Sequence, residues 1–147
     1  MKIIQKIFII MLLGNIACSF NNKEQVIEKF ITDLKNNDIS NVSLITKYYQ
    51  NQDKSQNETL HLLSQQIDLL RTKLLNDCPM LSIQRHDGNS DLVKSFKLKT
   101  EGYDVDNIFY IICNDVIITP VLLEAEKIKS ISTYSKTETG SKIFVIL

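Results

Sequence analysis

Leu60, Leu63, Ile67, Leu70 and Leu74 recur at three- and four-residue steps, which aligns them in one stripe of a helix. Leu62 and Leu69 widen the stripe on one side, and His61, Ser64, Gln65, Asp68, Arg71 and Thr72 take the opposite face. Ser55 with Glu58 has the spacing of a capping box. Cys78-Pro79 ends the run, because the residue before a proline is pushed out of the α region. At the rise of an α-helix this element would be about 30 Å long. A helix that long and that one-sided needs a sheet or several helices beneath it. An earlier helix carries Val26, Ile27, Phe30, Ile31 and Leu34 on one face. Asn22 with Gln25 caps its start, and Asn36-Asn37-Asp38 ends it. A shorter helical element runs from Asn41 to Tyr49, with one of Tyr48 and Tyr49 expected in the core and the other on the surface.

Past Pro79 the period changes to two. Leu81 and Ile83 alternate with Ser82 and Gln84 ahead of an Asp87-Gly88-Asn89 turn. Phe96 and Leu98 alternate with Lys97 and Lys99, which predicts a strand with one wet face before the Glu101-Gly102 turn. Ile108 to Cys113 and Val116 to Leu123 flank Asn114-Asp115, the composition of a tight hairpin. Both hairpin strands are apolar on both faces, so the hairpin is expected at the centre of the sheet. Pro120 lacks an amide donor and predicts a bulge or a partly unpaired edge. Glu124 to Lys127 turns the chain, Ile128 to Tyr134 continues as a strand, and Ile143 to Leu147 reads as a buried terminal strand.

Helices followed by an antiparallel meander define an α+β class. From Glu24 to Leu147 the order resembles the NTF2-like and cystatin-like folds, which wrap a curved sheet around a long helix. That resemblance implies a small envelope lipoprotein, or an isomerase- or cyclase-type enzyme with a conical pocket. It departs from the NTF2-like pattern in having no hairpin between the second and third helices. That departure favours a reduced or cystatin-like version or another α+β topology. Because both hairpin faces are apolar, the long helix is expected on the face carrying Phe109, Ile111 and Cys113 or on that carrying Ile108, Tyr110 and Ile112, with something else covering the other.

The amino terminus is more informative than the composition. Lys2 and Lys6 precede an apolar run from Ile7 to Leu13, the layout of a secretory signal peptide over residues 1–18. The run is too short for a bilayer span, which takes about 20 apolar residues. Ile16-Ala17-Cys18 resembles the end of a bacterial lipobox, with Asn15 where the pattern usually has Leu. That resemblance implies a lipid on Cys18, a short tether over residues 19–23 and a domain over 24–147. Ser19, rather than Asp, after the cysteine favours the outer membrane, facing the periplasm. The alternative is ordinary cleavage after Ser19, which would leave Phe20 first and a soluble periplasmic or secreted chain. Removing Lys2 and Lys6 from the 17 basic residues leaves 15 against 17 acidic ones, so there is no electrostatic case for nucleic acid.

Candidate chemistry is sparse. His61 shares a helix face with Gln65 and Asp68, and His86 adjoins the Asp87-Gly88 turn. Two histidines without further ligands make solvated positions the better reading, and no metal or other cofactor is expected. No Gly-x-Ser-x-Gly, phosphate-loop or His-Glu-x-x-His motif occurs. The NTF2-like resemblance implies Tyr103, Asp104, Asp106 and Tyr110 as the groups of an enzyme pocket, and no catalytic residue is assigned beyond that analogy. The expected function is a non-enzymatic binding or accessory module of the cell envelope. Its partners would be the membrane, through the lipid, and an envelope protein or a small apolar ligand. The alternatives are a small NTF2-like enzyme and an immunity or inhibitor protein. Cys78 and Cys113 remain in an oxidising compartment, either as a disulfide or as two separate buried thiols.

Thiol titration of the unreduced, unfolded mature chain is expected to find Cys78 and Cys113 both blocked. A bridge over that span stabilises by about 3 to 4 kcal/mol in the chain-entropy account. Two free thiols per chain would establish the separate-thiol alternative.

Overall fold

Strand β2, Ile108–Cys113, is buried at every position. It pairs antiparallel with β3, Val116–Glu124, around Asn114 and Asp115, whose φ angles of 49° and 61° make the tight turn. Asn and Asp tolerate that left-handed region better than most side chains, which is why this dipeptide closes the hairpin. The computed structural model describes residues 22–50, 57–76, 78–136 and 138–147. Cys18, the residue 19–21 part of the tether and the Ser55 cap lie outside them. Among the described residues three helices come first: α1 over residues 22–35, α2 over Asn41–Tyr48 and α3 over Asn57–Asn76. Asn22 and Lys23 already belong to α1 rather than to a tether. Strand β1, Leu81–Arg85, lies against β2, and β4, Lys127–Ser130, lies against β3, giving a four-stranded antiparallel sheet in the order β1-β2-β3-β4. A two-stranded sheet pairs β5, Thr133–Ser135, with β6, Lys142–Phe144. The architecture is α+β.

Alternation along the hairpin divides its side chains between two cores. Phe109 and Ile111 face the helices with Leu63, Ile67, Leu70 and Leu74, all buried. Ile108, Tyr110 and Ile112 face the other way. Their cover is the short helix α4, Asp91–Phe96, together with Phe144 and Tyr103. A disulfide joins Cys78, just past α3, to Cys113 at the end of β2, with the Cα atoms 5.4 Å apart. The ladder shifts register between Ile111 and Ile112, where Ile111 faces Thr119 and Ile112 faces Ile117. Pro120 stands opposite Tyr110, and β4 reaches β3 at Leu122, so the outer side of β3 at Pro120 needs no amide donor.

Several elements differ from the sequence reading, each for a local reason. The expected strand through Phe96 and Leu98 is instead α4 and its exit. Ser90 occupies the N-cap position, Asp91 sits in the first turn, and Leu92, Val93 and Phe96 share the buried side. Lys97 then takes φ 57° and ends the helix, while Leu98 forms an isolated bridge to Lys142. Tyr48 and Tyr49 are both buried, at 5% and 3% exposure. α2 ends at Tyr48 and Tyr49 is extended, so helical phase no longer separates the two. Phe30 meets both rings edge-on, at 5.4 and 6.2 Å between centroids. Ile128 to Tyr134 is broken at Ile131 and Ser132, because the chain leaves β4 to pair with β6. The terminal strand ends at Phe144 rather than Leu147, and Ile146 is exposed.

Arg71 is the largest departure from the expected polar face. Its Nε donates to the Leu34 carbonyl at 2.9 Å, Nη1 to Asn41 Oδ1 at 2.9 Å and Nη2 to the Ile39 carbonyl at 3.0 Å. One guanidinium thus satisfies carbonyls at the end of α1 and in the connection to α2. Asp33 makes a second tie, accepting from Lys47 Nζ and Tyr48 Oη at 2.7 Å each. The ammonium of Lys47, then the Tyr48 hydroxyl, hold the Asp33 carboxyl below its ordinary range.

Leu70→Ala is expected to cost about 2 to 5 kcal/mol, the range for truncating a buried leucine. Leu69→Ala, one position along but 60% exposed, is expected to cost under about 0.5 kcal/mol. Urea unfolding checks both, and equal losses would mean that α3 is turned away from the sheet.

Candidate functional site

The residues that an enzyme pocket would need do not converge. Tyr103 packs edge-on against Phe144, at 5.4 Å between centroids. Asp104 caps the short 3-10 turn Val105–Asn107, accepting from the Asp106 amide and from Asn107 Nδ2. Asp106 pairs with Arg85. Tyr110 is fully buried in the second core, with its hydroxyl 2.8 Å from His86 Nδ1 and Phe96 edge-on at 5.9 Å. Asp104, Asp106 and the Tyr110 hydroxyl are each committed to a neighbour.

His86 and Tyr110 do make a real polar contact within an apolar setting. Burial pushes the Tyr110 phenol up to about 12. Burial also lowers His86 below its ordinary value, with Asp87 opposing weakly. A neutral imidazole can accept from the phenol, whereas an imidazolium can only donate. This pair lies at the polar edge of the second core, with the Tyr110 ring buried and the His86 ring half-buried. His61 bonds to Gln65 at 3.0 Å, but Asp68 turns away to Asn41 and Arg71. Among the described residues no three His, Cys, Asp or Glu side chains gather as a metal site. No helix among them is long and apolar enough to cross a membrane. Cys78 and Cys113 are joined, and Cys18 lies outside the described residues.

One open feature of the described surface is a strand edge. β4, one margin of the sheet, is closed by the chain itself: Tyr49 bridges Ile128, the Gln50 amide donates to the Ile128 carbonyl at 3.0 Å, and Lys127 Nζ reaches the Lys47 carbonyl. β1, the other margin, has no such cover among the described residues. The Asn114 amide donates to Met80 and the His86 amide to Ile108 at the two ends of the β1–β2 ladder. Antiparallel bonding alternates, so Ser82 and Gln84 bond inward and the backbone groups of Leu81 and Ile83 point outward. They open onto a groove of about 550 Å³ between β1 and α1. Glu24, Glu28, Thr32 and Lys35 form its helical wall.

Sequence reasoning missed this groove. The four wall residues lie beside the apolar stripe of α1 at helical spacing and read as a solvated face. The usable signal was that β1 is preceded by a helix and followed by a turn and a short helix, so its one strand neighbour is the hairpin. Compared with known protein families, curated proteins and solved structures, the chain matches none.

The His86 contact has a pH signature. Its folded value lies below the ordinary 6.5, so the unfolded chain binds the proton more readily. Stability is therefore full above that ordinary value and falls as the pH drops through it. Between about pH 7.5 and about pH 5.5 the urea midpoint of the native chain is expected to fall more than that of His86→Asn. Parallel curves would show that the imidazole is not held in its neutral form.

Proposed function

We propose that the chain is an exported bacterial lipoprotein, a non-enzymatic binding module of the cell envelope anchored by lipid at Cys18. The observation that carries the binding reading is the asymmetry of the sheet margins. One is closed by Tyr49 and Gln50, and the other opens onto a groove. Free strand edges recruit extended chain, and proteins that do not use them generally blunt them. The dispersal of Tyr103, Asp104, Asp106 and Tyr110 argues against the NTF2-like enzyme, which needs those groups on one cavity. The signal layout of residues 1–18 supports export, and a disulfide between Cys78 and Cys113 suits an oxidising compartment. The lipobox-like end supports the anchor, and Ser19 favours the outer membrane.

In a detergent phase-partition assay the native chain is expected in the detergent phase and Cys18→Ser in the aqueous phase. A mature chain whose intact mass begins at Phe20 would overturn the anchor. A photo-crosslinking residue at Ser82, in the groove, is expected to capture an envelope protein in cells where one at His61 captures none. Equal yields from both positions would overturn the assignment of the edge as the contact surface.

A further inference from the structure

We propose that the occupant of the β1 edge is a second copy of this chain, paired antiparallel through β1 about a twofold axis near Ser82, so that Leu81 of each copy meets Ile83 of the other. This rests on the reading of that edge as the contact surface. The outward amides and carbonyls of Leu81 and Ile83 supply the main-chain bonds, since an antiparallel strand can meet its own copy with the same donors and acceptors. The charges of α1 then choose the copy over an arbitrary peptide. Glu24, Glu28, Thr32 and Lys35 lie along one helical line on the groove, acidic at one end and basic at the other. No side-chain hydrogen bond or ion pair engages Glu24, Glu28 or Lys35 among the described residues.

The direction of α1 makes this line self-complementary. Lys23 Nζ bonds to Asn107 Oδ1 at 2.6 Å, and Asp106, next in the chain, pairs with Arg85. The start of α1 therefore lies at the Arg85 end of β1, and Lys35 lies towards Leu81. A twofold axis across the strand edge reverses both elements. It sets Lys35 of each copy against the Glu24 and Glu28 end of the other. Arg85 is held by Asp106 and does not oppose the match. The two sheets become one continuous sheet, with Leu81 and Ile83 of both copies under adjoining α1 helices. Main-chain bonds and apolar contact give the affinity, and the charges fix the antiparallel register.

Sedimentation velocity of the full chain in a non-ionic detergent, up to about 300 µM, tests the pairing. The native chain is expected to dimerise with rising concentration. Lys35→Glu, and separately Glu24→Lys with Glu28→Lys, should each raise the dissociation constant at least about tenfold by setting like charges together. The triple variant with all three charges reversed should restore dimerisation. All three side chains line the surface, so an unchanged urea midpoint shows that each variant is folded. A native chain that stays monomeric, or a dimer indifferent to the charge reversals, overturns the proposal. The Ser82 cross-link separates the two levels of the argument. A product at twice the chain mass supports the second copy. A heterologous product from a monomeric chain overturns the second copy and leaves the edge a contact surface. No product overturns both.

Discussion

The β2–β3 hairpin is apolar on both faces, and the rest of the molecule is arranged to cover it. An exposed face of Ile108, Tyr110 and Ile112 would leave three large side chains in water, and each buried aliphatic or aromatic side chain stabilises by about 1.5 to 3 kcal/mol. α1, α2 and α3 cover one face, with Leu63, Ile67, Leu70 and Leu74 in contact with the core around Phe109 and Ile111. α4 and Phe144 cover the other. The Cys78–Cys113 disulfide fastens the end of the long helix to the strand beneath it. Arg71 fastens the same helix to α1 and α2 by three hydrogen bonds. Removing Arg71 would leave two backbone carbonyls without their donor as well as breaking a contact, so its role is structural although its residue type suggests a surface.

A hairpin at the centre of a four-stranded sheet forces β1 and β4 to the margins. The chain treats the two differently. The segment leaving α2 is turned into an extended bridge against β4, which also buries Tyr49. Nothing comparable lies along β1 among the described residues. The candidate site is thus a consequence of topology. The groove exists because α1 packs over the sheet and leaves a gap beside its last strand, and the polar line Glu24 to Lys35 is the flank of the helix that the core does not use. Chemistry of the kind suggested by Tyr103, Asp104 and Asp106 would need those groups gathered in a cavity, and the short helix and hairpin spend them on local turns and packing instead.

Much of the fold is legible in the residues. The α3 stripe, the Cys78-Pro79 stop and the Asn114-Asp115 hairpin follow from period and turn chemistry. The α4 error has a simple source. Phe96 to Lys99 alternates over four residues, too few to separate a strand from the end of a helix followed by an isolated bridge. Leu92 and Val93 with Phe96 held the helical spacing, one turn earlier. Arg71 was hidden because a polar–apolar reading sends every arginine to solvent, and the three groups it donates to lie thirty or more positions away in sequence. Tyr49 was misjudged because helical phase was carried one residue past the helix. The open edge was hidden for a deeper reason. Local pattern gives strands, whereas the strand that stands at a margin, and what closes it, depend on how distant segments meet.

Residue-resolved amide hydrogen exchange reads whether the outer side of β1 is left uncovered by its own chain. In dilute solution Ser82 and Gln84, bonded inward to β2, are expected to exchange slowly, close to the rates of β2 itself. Leu81 and Ile83, one position away in each case, are expected to exchange far faster because their amides face the groove. Equal protection of all four amides at high dilution would contradict the account, since it would mean that the chain itself closes the edge.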